Sequence, residues 1–282
     1  MARVVVVHGI GRQYLGPRSM HGLVAPALVD GVRLAGGPGD LTEDDVAVAF
    51  YGDWFRPSGG KGEPLLTAED LDSFEEELLV QWWQAAAETE PHRVPSPGTA
   101  GLKVSTPVTV QRALDALSRS RFFAGVGDRF LIGVLRQVKR YLTESSTRQF
   151  VRSRVVDAVD ADTVVLVGHS LGSVVAYEAL CAHPEWRVRA FVTLGSPLGI
   201  RNLVFDRLDP SPTAGRGHWP GSGRRWTNIC DCGDVVALVK DLAPLFGEVV
   251  DRRVDNGWRA HALAAHLTAV ETGAAVAAGL VE

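Results

Sequence analysis

Residues Val164 to Leu180 read as a strand, a five-residue turn and a helix in immediate succession, and this segment constrains the chain more than any other. Val164-Val165-Leu166-Val167 is an unbroken aliphatic run of the kind that forms a strand buried on both faces. Gly168-His169-Ser170-Leu171-Gly172 follows with no spacer, and Ser173 to Ala182 carries a helical pattern. Passing from strand to helix in so short a turn forces its central residue into a strained conformation, which flanking glycines relieve. Ser170 therefore stands at the apex of a sharp elbow, above the sheet edge and at a helix N-terminus, where backbone dipoles favour negative charge.

The same grammar recurs along the chain. Val4 to Val7 is a β-branched run that stops at His8-Gly9-Ile10-Gly11, so it predicts an interior strand, followed after the loop Gly9 to Gly22 by a helix from Leu23 to Leu34 that ends at Gly36-Gly37-Pro38. Further strands are predicted at Val46 to Tyr51, Thr163 to Val167, Val188 to Leu194, Trp226 to Cys230 and Glu248 to Val254, with a long final helix from Ala260 to Leu280. Strands alternating with helices imply a mostly parallel sheet covered on both faces, an α/β fold. The length of 282 residues suits one such domain spanning 1–282.

Residues 56–153 break this rhythm and read as a helical cap inserted into the domain, with helical stretches near Ala68 to Glu90 and Val108 to Glu144 around the Pro/Gly-rich segment Pro91 to Pro107. The first half is acidic, through Glu69, Asp70, Asp72, Glu75, Glu76 and Glu77. The second is basic, through Arg112, Arg119, Arg121, Arg129, Arg136, Lys139, Arg140 and Arg148. Such runs mark solvated helix faces, here of opposite charge and able to pair. An apolar stripe of Phe122, Phe123, Val126, Phe130, Leu131, Val134, Leu135 and Val138 on the basic helix reads as core, or as a face for a membrane surface or an anionic substrate. The Pro/Gly/Ser-rich stretch Asp209 to Arg225 reads as a mobile surface loop.

A serine hydroxyl attacks a carbonyl only if a base removes its proton, which calls for a histidine oriented by a carboxylate. On a strand-elbow-helix scaffold these follow in the order Ser, Asp or Glu, His. Beyond the strand Trp226 to Cys230 lie Asp231 and Asp234; Asp234 is favoured, with Asp231 as the alternate that fixes the turn. The only later histidines are His261, before the last helix, and His266 within it; His261 is favoured and His266 is the alternate. The oxyanion that forms on attack needs backbone donors. The candidates are the N–H groups of Leu171 and, in the supporting loop His8-Gly9-Ile10-Gly11, of Ile10.

Together these residues resemble the α/β-hydrolase superfamily, and within it the lipase-like serine esterases, whose first strand runs into H-G-[IF]-G and whose elbow is G-H-S-L-G. Leu194-Gly195-Ser196-Pro197-Leu198 is a further match. Trp226-x-Asn228-x-x-Asp231-x-x-Asp234-x-Val236 is similar to a segment of these proteins in which the later aspartate is the triad acid, and Asp255-Asn256-Gly257 before His261 is similar to their approach to the catalytic histidine. The resemblance implies an α/β-hydrolase fold lacking the first two N-terminal strands, and a triad of Ser170, Asp234 and His261 supported by His169. It implies cleavage of a carboxylic ester or thioester; the apolar residues of the cap suggest an apolar acyl part, and the lack of a phosphate-cradling glycine loop or a cluster of ligand residues implies no cofactor or metal. Acyl transfer or cyclisation would use the same residues, and a binding protein that has kept the fold is the alternative of another class.

Composition narrows the partners. A net charge of −4 offers nucleic acid no basic face, and no apolar run reaches the roughly eighteen residues of a spanning helix, which leaves peripheral membrane contact as the remaining route to a bilayer. The N-terminus lacks the apolar stretch of a secretory signal, so a cytoplasmic location is expected. Cys181, Cys230 and Cys232 suit buried reduced thiols better than a disulfide framework or a metal site.

Overall fold

The structure, a computed structural model, describes residues 2–56, 67–97, 107–121 and 127–281. Six strands form one open, all-parallel sheet: β1 (Val4–Val7), β2 (Val46–Ala49), β3 (Val165–His169), β4 (Ala190–Leu194), β5 (Arg225–Asp231) and β6 (Val250–Val254), in the order β2-β1-β3-β4-β5-β6. All six predicted strands are present, most of them shortened or shifted by two residues or so at one end. Side-chain alternation sends Val4, Val6, Val165 and Val167 to one face and Val5, Val7 and Leu166 to the other, and all seven are fully buried. Helices on both sides explain why these strands are apolar throughout.

One face is covered by α1 (Pro17–Leu34), α8 (Leu263–Thr268) and α9 (Val270–Leu280). Helix α1 starts six residues earlier than predicted, because Pro17 occupies its first turn, where proline's missing N–H costs nothing. The predicted final helix is two, divided where Ala269 turns to an extended conformation. The other face carries α6 (Leu171–Ala182) and α5 (Ser145–Ala158), with α2 (Ser73–Thr89), α3 (Pro107–Leu117) and α4 (Asp128–Thr143) beyond; the short α7 (Ala243–Phe246) precedes β6.

Helix α5, absent from the sequence prediction, buries Val151 and Val155 and packs on β2 and α6, so the expected cap boundary at Ser153 falls inside a helix of the sheet layer. The acidic and basic helices do meet: Arg136 pairs with Glu75 at 2.7 Å and Lys139 with Asp72 at 2.8 Å. Glu75 is fully buried, so this part of the acidic run is not a solvated face. Within the predicted apolar stripe, Phe122, Phe123 and Val126 lie outside the described residues, as do parts of the segment Pro91 to Pro107.

Two further expectations are corrected. The loop 209–225 is pinned to the body by Arg224, which is buried and donates to the carbonyls of Val188, Leu180 and His183, capping the end of α6. Of the three free cysteines only Cys230 is buried; Cys181 is half-buried and Cys232 exposed on the turn after β5. No helix among the described residues is long and apolar enough to cross a membrane.

Candidate active site at the carboxyl ends of β1 and β3

The chain leaves β1 for β2 on one side and β3 for β4 on the other, so the carboxyl ends of β1 and β3 diverge into a crevice, the usual ligand position in open α/β sheets. Ser170 sits at this point with φ 53° and ψ −132°, a region that side-chain-bearing residues rarely enter and that costs on the order of 1–3 kcal/mol. The turn is held closed around it. The Ser170 N–H donates to Leu194 O at 2.9 Å, and the Ser170 carbonyl accepts from Ser173 Oγ at 2.6 Å. Because that bond uses the Ser173 proton, Ser196 Oγ donates to Ser173 Oγ at 2.7 Å and itself accepts from the Leu198 N–H. The flanking glycines are forced by space: a Cβ at Gly168 would lie 2.5 Å from Ser173 Cα, and one at Gly172 would lie 2.3 Å from the carbonyl oxygens of Val7 and His8.

The two aspartates beyond β5 have different partners. Asp231 closes its own turn, accepting from the Gly233 N–H at 2.7 Å and from the Asn256 N–H. Asp234 is buried; its Oδ1 accepts from the Val236 N–H at 2.9 Å, and its Oδ2 accepts from His261 Nδ1 at 2.7 Å. Burial opposes ionisation of Asp234, but the charge and hydrogen bond of His261 outweigh it and hold the carboxyl below its ordinary range. Gly195, at φ 52°, makes room for this pair, since a Cβ there would lie 2.7 Å from Asp234 Oδ2 and 2.8 Å from His261 Nδ1. His266 points elsewhere: it is fully buried in α8, and desolvation lowers its pKa to about 4. His169, also buried, is driven well below the usual histidine range by desolvation and stays neutral; its Nε2–H donates to the His261 carbonyl at 2.9 Å and so holds that residue's backbone.

The loop after β1 is built on His8. Its Nε2 accepts from the Tyr51 N–H at 3.2 Å, its Nδ1–H faces Gly9 O, and its ring stacks on Tyr51 at 4.1 Å. Burial lowers its pKa to about 4, consistent with an imidazole that must keep Nε2 unprotonated. His8 is thus a brace for the loop. The Gly11 N–H donates to Gln137 Oε1 at 3.1 Å, an anchor from α4 that no local pattern signals. The N–H groups of Ile10 and Leu171 meet no acceptor among the described residues.

These elements enclose a cavity of about 340 Å3 lined by Gly9, Ile10, Gly11, His169, Ser170, Leu171 and His261 at one end. Leu78 and Trp82 from α2 and Phe130, Leu131, Val134 and Val138 from α4 form the apolar roof. Arg12, which sequence reasoning passed over, also lines it. Asp231 and His266 do not. Among the described residues no group of three His, Cys, Asp or Glu side chains could hold a metal ion.

The fold and crevice define an α/β protein in which a strained serine and a histidine bonded to a buried carboxylate share one largely apolar cavity. No protein-family model matches the chain, and comparison with curated proteins and with solved structures finds no match.

Proposed function

We propose that the chain is a serine hydrolase of the α/β-hydrolase type, cleaving a carboxylic ester or thioester through an acyl-enzyme. The observation that carries this reading is that Ser170, at the strained elbow, and His261, bonded through Nδ1 to buried Asp234, open on the same cavity. The order Ser170, Asp234, His261, following β3, β5 and β6, agrees with the order of triad residues on that fold. The parallel sheet is compatible with a hydrolase sheet shortened by its first two strands.

Each step uses a group of this chain. Ionised Asp234 accepts the Nδ1–H of His261, which leaves Nε2 unprotonated and able to act as base. As Ser170 Oγ attacks the acyl carbonyl carbon, its proton passes to His261 Nε2 and the carbonyl electron pair moves to oxygen. The N–H groups of Ile10 and Leu171 receive that oxyanion, each worth about 3 kcal/mol in such sites. Collapse expels the alkoxide or thiolate, which takes the proton from His261. Water, deprotonated by His261, then attacks the Ser170 ester; the C–Oγ bond breaks, Ser170 Oγ takes the proton back from His261, and the acid is released. The apolar roof on α2 and α4 suits an acyl chain.

The test is hydrolysis of p-nitrophenyl esters from acetate to palmitate together with fluorophosphonate labelling, on wild type, Ser170→Ala, His261→Ala and Asp234→Asn. The expected result is turnover and labelling by wild type, neither by Ser170→Ala, and a loss of about 10⁴ in kcat for Asp234→Asn. Wild-type protein that neither labels nor turns over any ester refutes the proposal.

A further inference from the structure

Three arginines, Arg12, Arg121 and Arg259, line the cavity, and no Asp or Glu is among its described lining residues. Two of them are engaged. Arg121 pairs with Glu90 at 3.4 Å, and Arg259 lies over the Trp258 ring, 4.7 Å from its centroid. Arg12 differs. It stands two residues beyond Ile10 on the loop that follows β1, is half-buried, and forms no ion pair with a carboxylate among the described residues. Desolvation works against its charge and draws its pKa below the usual arginine value, with Tyr51 opposing the shift.

A cation held partly out of water without a partner is unfavourable, and an incoming oxyanion removes that cost while matching the planar fork of the guanidinium. The roof residues Leu78, Phe130 and Val134 are apolar and suit a hydrocarbon. We propose that Arg12 is the anchor for an anionic group of the substrate, a carboxylate or a phosphate ester. The substrate class is then an amphipathic ester or thioester with one apolar and one anionic portion, not a neutral lipid ester. The assignment rests on the hydrolase reading of Ser170 for its chemistry, whereas anion capture by Arg12 does not require turnover.

Binding of octanoate, octyl phosphate and octanol to the Ser170→Ala protein, measured by calorimetry at low salt, tests it. A charge-assisted bond of this kind corresponds to about tenfold or more in affinity. Octanoate, octyl phosphate or both therefore bind at least about tenfold more tightly than octanol, and the tighter of the two distinguishes carboxylate from phosphate. Arg12→Gln removes that preference, and Arg12→Lys keeps part of it. The proposal is overturned if octanol binds as well as both anions, if Arg12→Gln weakens all three ligands equally, or if none of them binds. Fluorophosphonate labelling of the unaltered protein reports on Ser170 separately: labelling without an anion preference sinks only the role of Arg12, and an anion preference without labelling sinks only the hydrolase reading.

Discussion

Gly195→Ala isolates the contact that lets the histidine and aspartate meet. A methyl group there would approach Asp234 Oδ2 to 2.7 Å and His261 Nδ1 to 2.8 Å, where ordinary contacts begin at 3.4 Å. Both partners must retreat from the methyl group by about 0.7 Å to reach that distance, which disturbs the geometry of their 2.7 Å hydrogen bond. The backbone adds a second cost, since φ 52° penalises a side-chain-bearing residue by roughly 1–2 kcal/mol. Gly36 separates the two effects, because it has φ 70° and open space where its Cβ would be. Both substitutions lower Tm by several degrees, on the scale of about 2–4 °C per kcal/mol for a chain of this size. Only Gly195→Ala lowers kcat on p-nitrophenyl butyrate, by about 10² or more, the effect of misplacing a reacting group by about 1 Å. It also abolishes the downfield proton resonance of His261 Nδ1–H, which reads the bond without reference to catalysis. Activity in Gly195→Ala within twofold of wild type, or an equal loss in Gly36→Ala, would refute the reasoning.

Acid should unfold the protein through its buried histidines. His8 and His266 titrate near pH 4 in the folded state and near 6.5 when unfolded, so the unfolded chain binds protons first as pH falls. Stability is then undiminished above about pH 6.5 and falls between 6.5 and 4, by up to about 3 kcal/mol per histidine; urea titrations across this range check it, and a flat profile would count against neutral buried rings. Tyr141→Phe removes the donor that reaches buried Glu178 Oε2 at 2.6 Å and should cost about 1.5–3 kcal/mol in urea unfolding, because it leaves a carboxylate short of a partner at the seam between α4 and α6. Gln137→Leu strips the acceptor from the Gly11 N–H and should lower kcat about tenfold with a smaller change in KM, as expected for a residue that positions the oxyanion loop. An equal loss in both parameters would point to general destabilisation of α4.

Local chemistry made the scaffold legible. Valine-rich runs ending at glycine predict β1 and β3, since a segment apolar on both faces has few alternatives to a sheet interior. The elbow was legible for the same reason: Gly168 and Gly172 are demanded by neighbours only a few residues away or on the adjoining strand. Sequence and structure part where a local signal is ambiguous or a helix is held by packing. Pro17 suits a loop as well as a first helical turn, and the structure places it in the latter. The polar helix α5, with little amphipathic pattern of its own, depends on burying Val151 and Val155 against the body.

Chain order alone left two aspartates and two histidines as candidates, because spacing says where a residue lies along the chain and not which way its side chain points. Only the tertiary structure turns Asp231 into its own turn, buries His266 as a neutral ring, and sets His261 Nδ1 2.7 Å from Asp234. Gln137 reaches Gly11 from 126 residues away, and Arg12 becomes notable only once α2 and α4 roof the cavity that it lines. Elements follow from sequence because their hydrogen bonds and periodicities are short-range. Partners do not, because a hydrogen bond between distant residues is decided by packing that no local pattern encodes.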